Sequence, residues 1–88
     1  GKVCVTPKCL EIGTESCAAL HNSSTVALNW SIPLAPPEIT IFPKNGSLRP
    51  GEKQSLHLQC SEPFVGNKIV FVDVEDGEPT HFELVYVG

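Results

Sequence analysis

Eight prolines and seven glycines interrupt this 88-residue chain, often only a few residues apart. Proline removes a backbone hydrogen-bond donor and clashes with the preceding helical turn, so this spacing leaves little room for a helix. Between the breaks lie short runs rich in valine, isoleucine and leucine. The sequence therefore predicts a chain built only of β-strands.

Alternation of apolar and polar side chains identifies the strands, because successive side chains of a strand point to opposite faces. The clearest example places Val26, Leu28, Trp30 and Ile32 on one face. Seven strands are predicted: 3–12 with a kink at Pro7, 16–20, 26–32, 38–42, 54–60, 68–74 and 80–87. Short strands separated by turn signals about every ten residues are typical of an antiparallel sandwich.

Two strands near the end of the chain carry further information. The run 68–74 is apolar on both faces, which predicts a central strand. The spacer that follows contains Asp76-Gly77, a dipeptide typical of tight hairpin turns. The last two strands are therefore predicted to form a hairpin.

Length and charge restrict the classes of function. We expect residues 1–88 to form a single domain, cut from a longer protein. The net charge is −4, and the basic residues do not cluster, which argues against a nucleic-acid surface. No apolar run approaches the roughly 20 residues that cross a bilayer, so membrane insertion is not expected.

Three segments, taken in order, resemble a known family. Residues 7–13 read Pro-Lys-Cys-Leu-Glu-Ile-Gly, an Asn-Ser-Ser sequence starts at Asn22, and residues 43–51 read Pro-Lys-Asn-Gly-Ser-Leu-Arg-Pro-Gly. This order resembles the ASH (abnormal-spindle and hydin) domains of the major sperm protein and PapD-like group, which have immunoglobulin-like folds. Ile12 replaces the usual phenylalanine. Gly13 and Asn22 are also closer together than expected, which predicts either a shortened second strand or a departure from the family.

The segment 43–51 is the most specific of the three. Asn45-Gly46 is predicted to form a turn, because both residue types tolerate a positive φ angle. Pro50-Gly51 is predicted to form a second turn. Leu48, between the two turns, is expected to plug one end of the sandwich.

The resemblance implies a function. It points to a non-catalytic protein-binding or scaffolding module of a ciliary, flagellar or centrosomal protein associated with microtubules. The implied partners are axonemal or centrosomal proteins, and the implied location is the cytoplasm and cytoskeleton, including the cilium or flagellum. No binding residue of the family could be matched to this chain. The module could bind an extended peptide at an exposed sheet edge, or it could act only as a spacer.

The four cysteines leave an alternative open. Cys4 and Cys9 are too far apart for a typical zinc pair, so no metal or other cofactor is expected. Reduced thiols that act as small apolar side chains are the simplest interpretation. However, Trp30 lies 13 residues after Cys17, as in antibody domains, although Leu58 stands where their tyrosine would precede Cys60. The alternative is therefore an extracellular immunoglobulin-like adhesion or receptor domain with a Cys17–Cys60 disulfide.

Three asparagines lie in N-x-S sequences, which would be acceptors for glycans in a secreted protein: Asn22, Asn29 and Asn45. The family pattern gives Asn22 and Asn45 a different role, in turns. The histidines are spread over three segments without a catalytic motif, and His57 and His81 are expected to face solvent. The acidic residues 73–78 lack the order of a calcium-binding loop and are expected to form a solvated hairpin tip. No catalytic activity is predicted.

Trp30 offers a test of the predicted core. If it is buried, the substitution Trp30→Ala should lower the free energy of unfolding by about 3–5 kcal/mol, because it leaves a large cavity. Chemical denaturation of the variant and the parent measures this difference. Equal denaturation midpoints would contradict the assignment of Trp30 to the core.

Overall fold

The computed structural model describes residues 2–88, so Gly1, which falls within the predicted domain, lies outside the described residues. These residues form no helix and pair into two sheets packed as a sandwich, which confirms the predicted all-β, immunoglobulin-like fold. The nine strands are β1 (Val3–Thr6), β2 (Cys9–Ile12), β3 (Glu15–Asn22), β4 (Leu28–Ser31), β5 (Ile39–Phe42), β6 (Asn45–Leu48), β7 (Lys53–Cys60), β8 (Asn67–Val74) and β9 (Thr80–Tyr86).

The strands are arranged in a four-stranded and a five-stranded sheet. The four-stranded sheet has the order β1-β3-β7-β5, and the five-stranded sheet has the order β2-β9-β8-β4-β6. Side chains that face inward from both sheets form one apolar core, which includes Leu20, Leu58, Phe82 and Leu84, each with no exposed surface. Each sheet therefore buries one face.

The first predicted strand is in fact two strands in different sheets. The chain leaves the four-stranded sheet after β1 and joins the five-stranded sheet as β2, with Pro7 between the two. β2 pairs with β9 in parallel, although purely antiparallel pairing was predicted. The two strands come from opposite ends of the chain, and the intervening sandwich supplies the long connection that parallel pairing requires. β3 spans eight residues, so the second strand is not shortened.

The predicted hairpin is confirmed, since β8 and β9 pair antiparallel across a turn where Asp76 has a φ of 55°. The prediction that residues 68–74 form a central strand is confirmed. β8 does lie inside its sheet, between β9 and β4. However, Ile69 and Phe71 are 49% and 58% exposed, because nothing in residues 2–88 covers that outer face.

Trp30 is 3% exposed, and Leu28 and Ile32 on the same face are also buried, as predicted. Val26 is 55% exposed, which corrects the prediction that it shares this buried face. It precedes β4 and lies in the loop that follows Asn22, where its carbonyl oxygen accepts a hydrogen bond from the Asn22 side chain. The strand alternation therefore begins only at Leu28.

The segment 43–51 is partly as predicted. Leu48 is buried, and the turn at Pro50-Gly51 is present, with a φ of 78° at Gly51. The predicted turn at Asn45-Gly46 was wrong, since both residues belong to β6. A Cβ atom at Gly46 would lie 3.2 Å from Nε1 of Trp30, which is a tight contact. Glycine at this position lets the edge strand pack closely on the indole ring.

Asn22, at the end of β3, has no exposed surface, and all four hydrogen-bonding positions of its side-chain amide are used. Its Nδ2 donates to the carbonyl oxygens of Val26 (2.8 Å) and Leu48 (2.9 Å). Its Oδ1 accepts from the backbone N–H (2.9 Å) and the hydroxyl (2.7 Å) of Ser24. The backbone carbonyl of Asn22 also accepts from Gly51 N–H at 2.8 Å. Asn22 thus ties β3 to the following loop, to β6 and to the turn before β7.

The substitution Asn22→Ala should lower the free energy of unfolding by about 2–4 kcal/mol, because buried backbone groups lose their partners at about 1–3 kcal/mol each. Asn45→Ala is a matched control: Asn45 is exposed and lies in the same type of N-x-S sequence. This control should change the stability by less than about 0.5 kcal/mol. Urea denaturation of both variants measures the difference. Equal effects would contradict the assigned role of Asn22.

Candidate functional site

The outer face of the four-stranded sheet contains a shallow groove of about 350 Å³. It runs across β3, β7 and β5, and two cross-strand rows of side chains form its floor. One row consists of Cys17, His57 and Phe42, and the other of Glu15, Gln59 and Thr40. The lining residues are Glu15, Ser16, Cys17, Thr40, Phe42, His57, Leu58 and Gln59.

Strand register brings Cys17 and His57 together. The backbone N–H of Cys60 donates to the carbonyl of Thr14, so these two residues are a hydrogen-bonded pair. Hydrogen-bonded and non-hydrogen-bonded pairs alternate along an antiparallel ladder, so the even-numbered residues of β3 are in hydrogen-bonded pairs and the odd-numbered residues are not. Cys17 and His57 are therefore a non-hydrogen-bonded pair, in which opposite side chains lie closest together. Their Sγ and Nδ1 atoms are 3.5 Å apart and both residues are exposed.

The chemical character of the groove is mixed. Phe42, on the edge strand β5, is 72% exposed and provides a large apolar surface at one side. Gln59 and Thr40 provide polar side chains, and Glu15 is the charged residue of the lining. A second hollow of about 320 Å³ continues beyond Glu15 towards Ser61 and shares Glu15, Thr40 and Gln59. This arrangement suits an extended chain with an apolar side chain at one position and polar or basic groups beside it.

The sheet edges were the other candidate site. β5 ends directly before Pro43 and begins soon after Pro37, so little of its free edge can pair with another strand. β6 contains no proline. Since Ile32 N–H donates to Lys44 C=O (2.7 Å), the backbone groups of Asn45 and Ser47 point away from β4. β6 therefore has the proline-free edge that strand addition was predicted to need.

The Cys17–Cys60 disulfide of the alternative interpretation is incompatible with the sheet. Cys17 lies opposite His57, and Cys60 is an odd number of residues from His57, so the two sulfur atoms are on opposite faces. Cys60 packs against the core and Cys17 faces solvent. All four cysteines are free thiols: Cys4, Cys9, Cys17 and Cys60. The disulfide expected for the antibody-like alternative was therefore wrong.

The three N-x-S asparagines differ in accessibility. Asn22 is fully buried, so its Nδ2 cannot accept a glycan in the folded chain. Asn29 is exposed, donates to Glu75 (3.2 Å) and accepts from the Ser47 hydroxyl. Asn45 is exposed on β6. Asn22 is the last residue of β3 and its side chain holds the loop that follows, whereas Asn45 is the first residue of β6.

The remaining polar candidates do not converge. His57 and His81 are exposed, as predicted. His81 lies on the five-stranded sheet, where its ring packs beside that of Phe71 with the ring centroids 6.0 Å apart. The acidic residues around Asp76 are exposed at the hairpin tip. Across the described part of the chain, no three histidine, cysteine or acidic side chains lie where they could hold a metal ion. No helix in residues 2–88 is long and apolar enough to cross a membrane.

No family model and no curated protein matches the sequence. Solved structures do match. WR4, a member of the major sperm protein family of Caenorhabditis elegans, has a TM-score of 0.76 at 10% identity, covering 97% of this chain and 95% of that one. The ASH/PapD-like domain 7 of human CEP192 has a TM-score of 0.74 at 19% identity, covering 97% and 83%.

A bacterial pilus chaperone is similar as well. The CsuC–CsuE chaperone–tip adhesion subunit complex of Acinetobacter baumannii gives a TM-score of 0.74 at 15% identity. The match covers 100% of this chain but 57% of the matched chain, so the present chain spans little more than half of it. At these identities the likeness concerns the fold. The chain has the PapD-like, immunoglobulin-like fold of ASH and major sperm protein domains, which confirms the fold that the sequence resemblance implied.

The face assignment of the cysteines predicts their redox state in solution. The purified chain, unfolded without reductant after exposure to air, should contain no Cys17–Cys60 disulfide, because these two sulfur atoms cannot approach each other while the chain is folded. Thiol titration and peptide mass mapping measure this. A peptide joined through Cys17 and Cys60 would contradict the structure.

Proposed function

We propose that this chain is a non-catalytic protein-binding module of a larger centrosomal or ciliary, microtubule-associated protein, and that the groove on the four-stranded sheet is its binding surface. The observation that carries the proposal is Phe42, a large apolar side chain that is 72% exposed beside a floor of hydrogen-bonding groups. Aromatic side chains of this kind are common anchors in protein interfaces.

The groove favours an extended segment of a partner protein. Covering Phe42 with an apolar side chain would contribute roughly 1.5–3 kcal/mol. Gln59 and Thr40 provide hydrogen-bonding groups in the adjacent row, and Glu15 favours a lysine or arginine of the partner. Such a segment would be apolar where it meets Phe42 and basic where it meets Glu15.

Two observations support the proposed cellular context. An ASH/PapD-like domain of human CEP192 has the same fold and covers nearly the whole chain. The sequence order from Pro7 to Gly51 also follows the ASH pattern. Both observations support axonemal or centrosomal partners and a position in the cytoskeleton, cilium or flagellum, within a protein that contains further domains.

A second binding mode is strand addition at β6, favoured by the outward backbone groups of Asn45 and Ser47. It would give affinity through main-chain hydrogen bonds with little contribution from Phe42. The two modes predict different effects for substitutions in the groove and on β6. The localisation of a pure spacer would not change with a substitution at either place.

The test is the localisation of the fluorescently tagged chain in ciliated cells, scored against centriolar and axonemal markers. The parent should concentrate at one of these structures. Phe42→Ser should weaken binding by about tenfold or more, corresponding to the lost apolar burial, and disperse the chain. Val65→Ser is the matched control, because Val65 is 94% exposed away from the groove, and it should localise like the parent.

A third variant, Ser47→Pro, blocks strand addition at β6 without removing a ladder hydrogen bond. It should localise like the parent. A diffuse parent would contradict the proposed function. A localised Phe42→Ser together with a diffuse Ser47→Pro would move the binding surface to β6.

A further inference from the structure

The four cysteines of this chain are not equivalent. Cys60 packs on the core and its thiol donates to the Glu62 carbonyl at 3.1 Å, and the Cys4 sulfur lies 3.8 Å from the Ser23 hydroxyl. Cys9 and Cys17 are the two exposed cysteines. Only Cys17, among the described residues, has its sulfur within hydrogen-bond distance of a histidine ring nitrogen.

We propose that Cys17 is a site of reversible S-thiolation, with His57 as the base and a low-molecular-weight disulfide as the co-reactant. The strand register holds the two side chains side by side in a non-hydrogen-bonded pair, so the contact does not depend on a flexible loop. A thiolate is the nucleophile in thiol–disulfide exchange, and a base beside the thiol assists its formation.

The exchange is balanced. The Cys17 proton moves to Nδ1 of His57, and the sulfur attacks one sulfur of the small disulfide. A new S–S bond forms as the old one breaks, and the departing thiolate takes up a proton. One disulfide is consumed and one is formed, so no further oxidant is needed. A second small thiol reverses the reaction.

The groove gives this site a consequence. Cys17 lies in the same cross-strand row as Phe42, so a group attached to Sγ would occupy the floor of the groove. Thiolation would then compete with the partner segment, and this consequence rests on the proposed function. The reactivity of Cys17 does not rest on it.

The test follows the modification of each cysteine in the folded chain by bis(2-hydroxyethyl) disulfide, with peptide mass spectrometry as the readout. This probe is neutral, so the charge of Glu15 does not bias the comparison. Cys17 should react about tenfold faster than Cys9, a modest share of the 10²–10⁴-fold that a positioned base provides in enzymes. Cys9 is the matched exposed thiol without a histidine partner.

His57→Gln should lower the rate at Cys17 to about that of Cys9, whereas the control His81→Gln should leave it unchanged. Unfolding the parent in denaturant should make the two rates equal, because the cross-strand contact is lost. Equal rates in the folded parent, or an unchanged rate in His57→Gln, would overturn the thiolation site and leave the proposed binding function intact.

A second measurement tests the consequence for the groove. Chain thiolated at Cys17 by the same probe, in a variant whose other exposed cysteine, Cys9, is changed to serine, is introduced into permeabilised ciliated cells. It should fail to concentrate where the unmodified variant does, and a reductant should restore it. Localisation that survives the modification would overturn the competition between thiolation and binding. Absence of localisation in the unmodified variant would instead count against the proposed function.

Discussion

The buried amide of Asn22 holds together parts of the chain that are distant in sequence. It joins the end of β3 to the loop at Ser24 and Val26, and to Leu48 at the end of β6. β3 lies between β1 and β7, so its position sets the pairing of three strands. A slip of one residue in β3 would exchange its two faces. Cys17 and Glu15 would then point into the core, and the groove would lose two of the side chains that form its floor.

Much of the fold could be predicted from local pattern. Alternation located most of the strands because burial of one sheet face imposes a period of two on the side chains. Asp76-Gly77 marked the hairpin and Gly51 marked a turn, and in the structure Asp76 and Gly51 have positive φ angles. These features depend on neighbours in sequence, which is why one sequence is enough to find them.

What the sequence pattern missed depends on contacts between residues that are distant in sequence. Asn45-Gly46 has the composition of a turn, yet it lies in β6, where Gly46 packs closely against the indole ring of Trp30 from another strand. Residues 68–74 are apolar on both faces, yet Ile69 and Phe71 on the outer face are 49% and 58% exposed. The Cys17–Trp30–Cys60 spacing resembles that of an antibody domain. However, Cys60 lies three residues after His57, the residue opposite Cys17, so the two sulfur atoms are on opposite faces of the sheet. The groove was missed for the same reason, since its rows combine residues of three strands whose register was unknown.

The groove and the thiol site both depend on the register of β3 against β7, and NMR measures this register directly. In a non-hydrogen-bonded antiparallel pair the two Hα atoms approach closely. We expect strong Hα–Hα cross-peaks between Cys17 and His57 and between Glu15 and Gln59. Cross-peaks that pair Ser16 or Ala18 with His57 instead would reveal a one-residue slip. Such a slip would place Cys17 in the core and contradict both the groove and its proposed function.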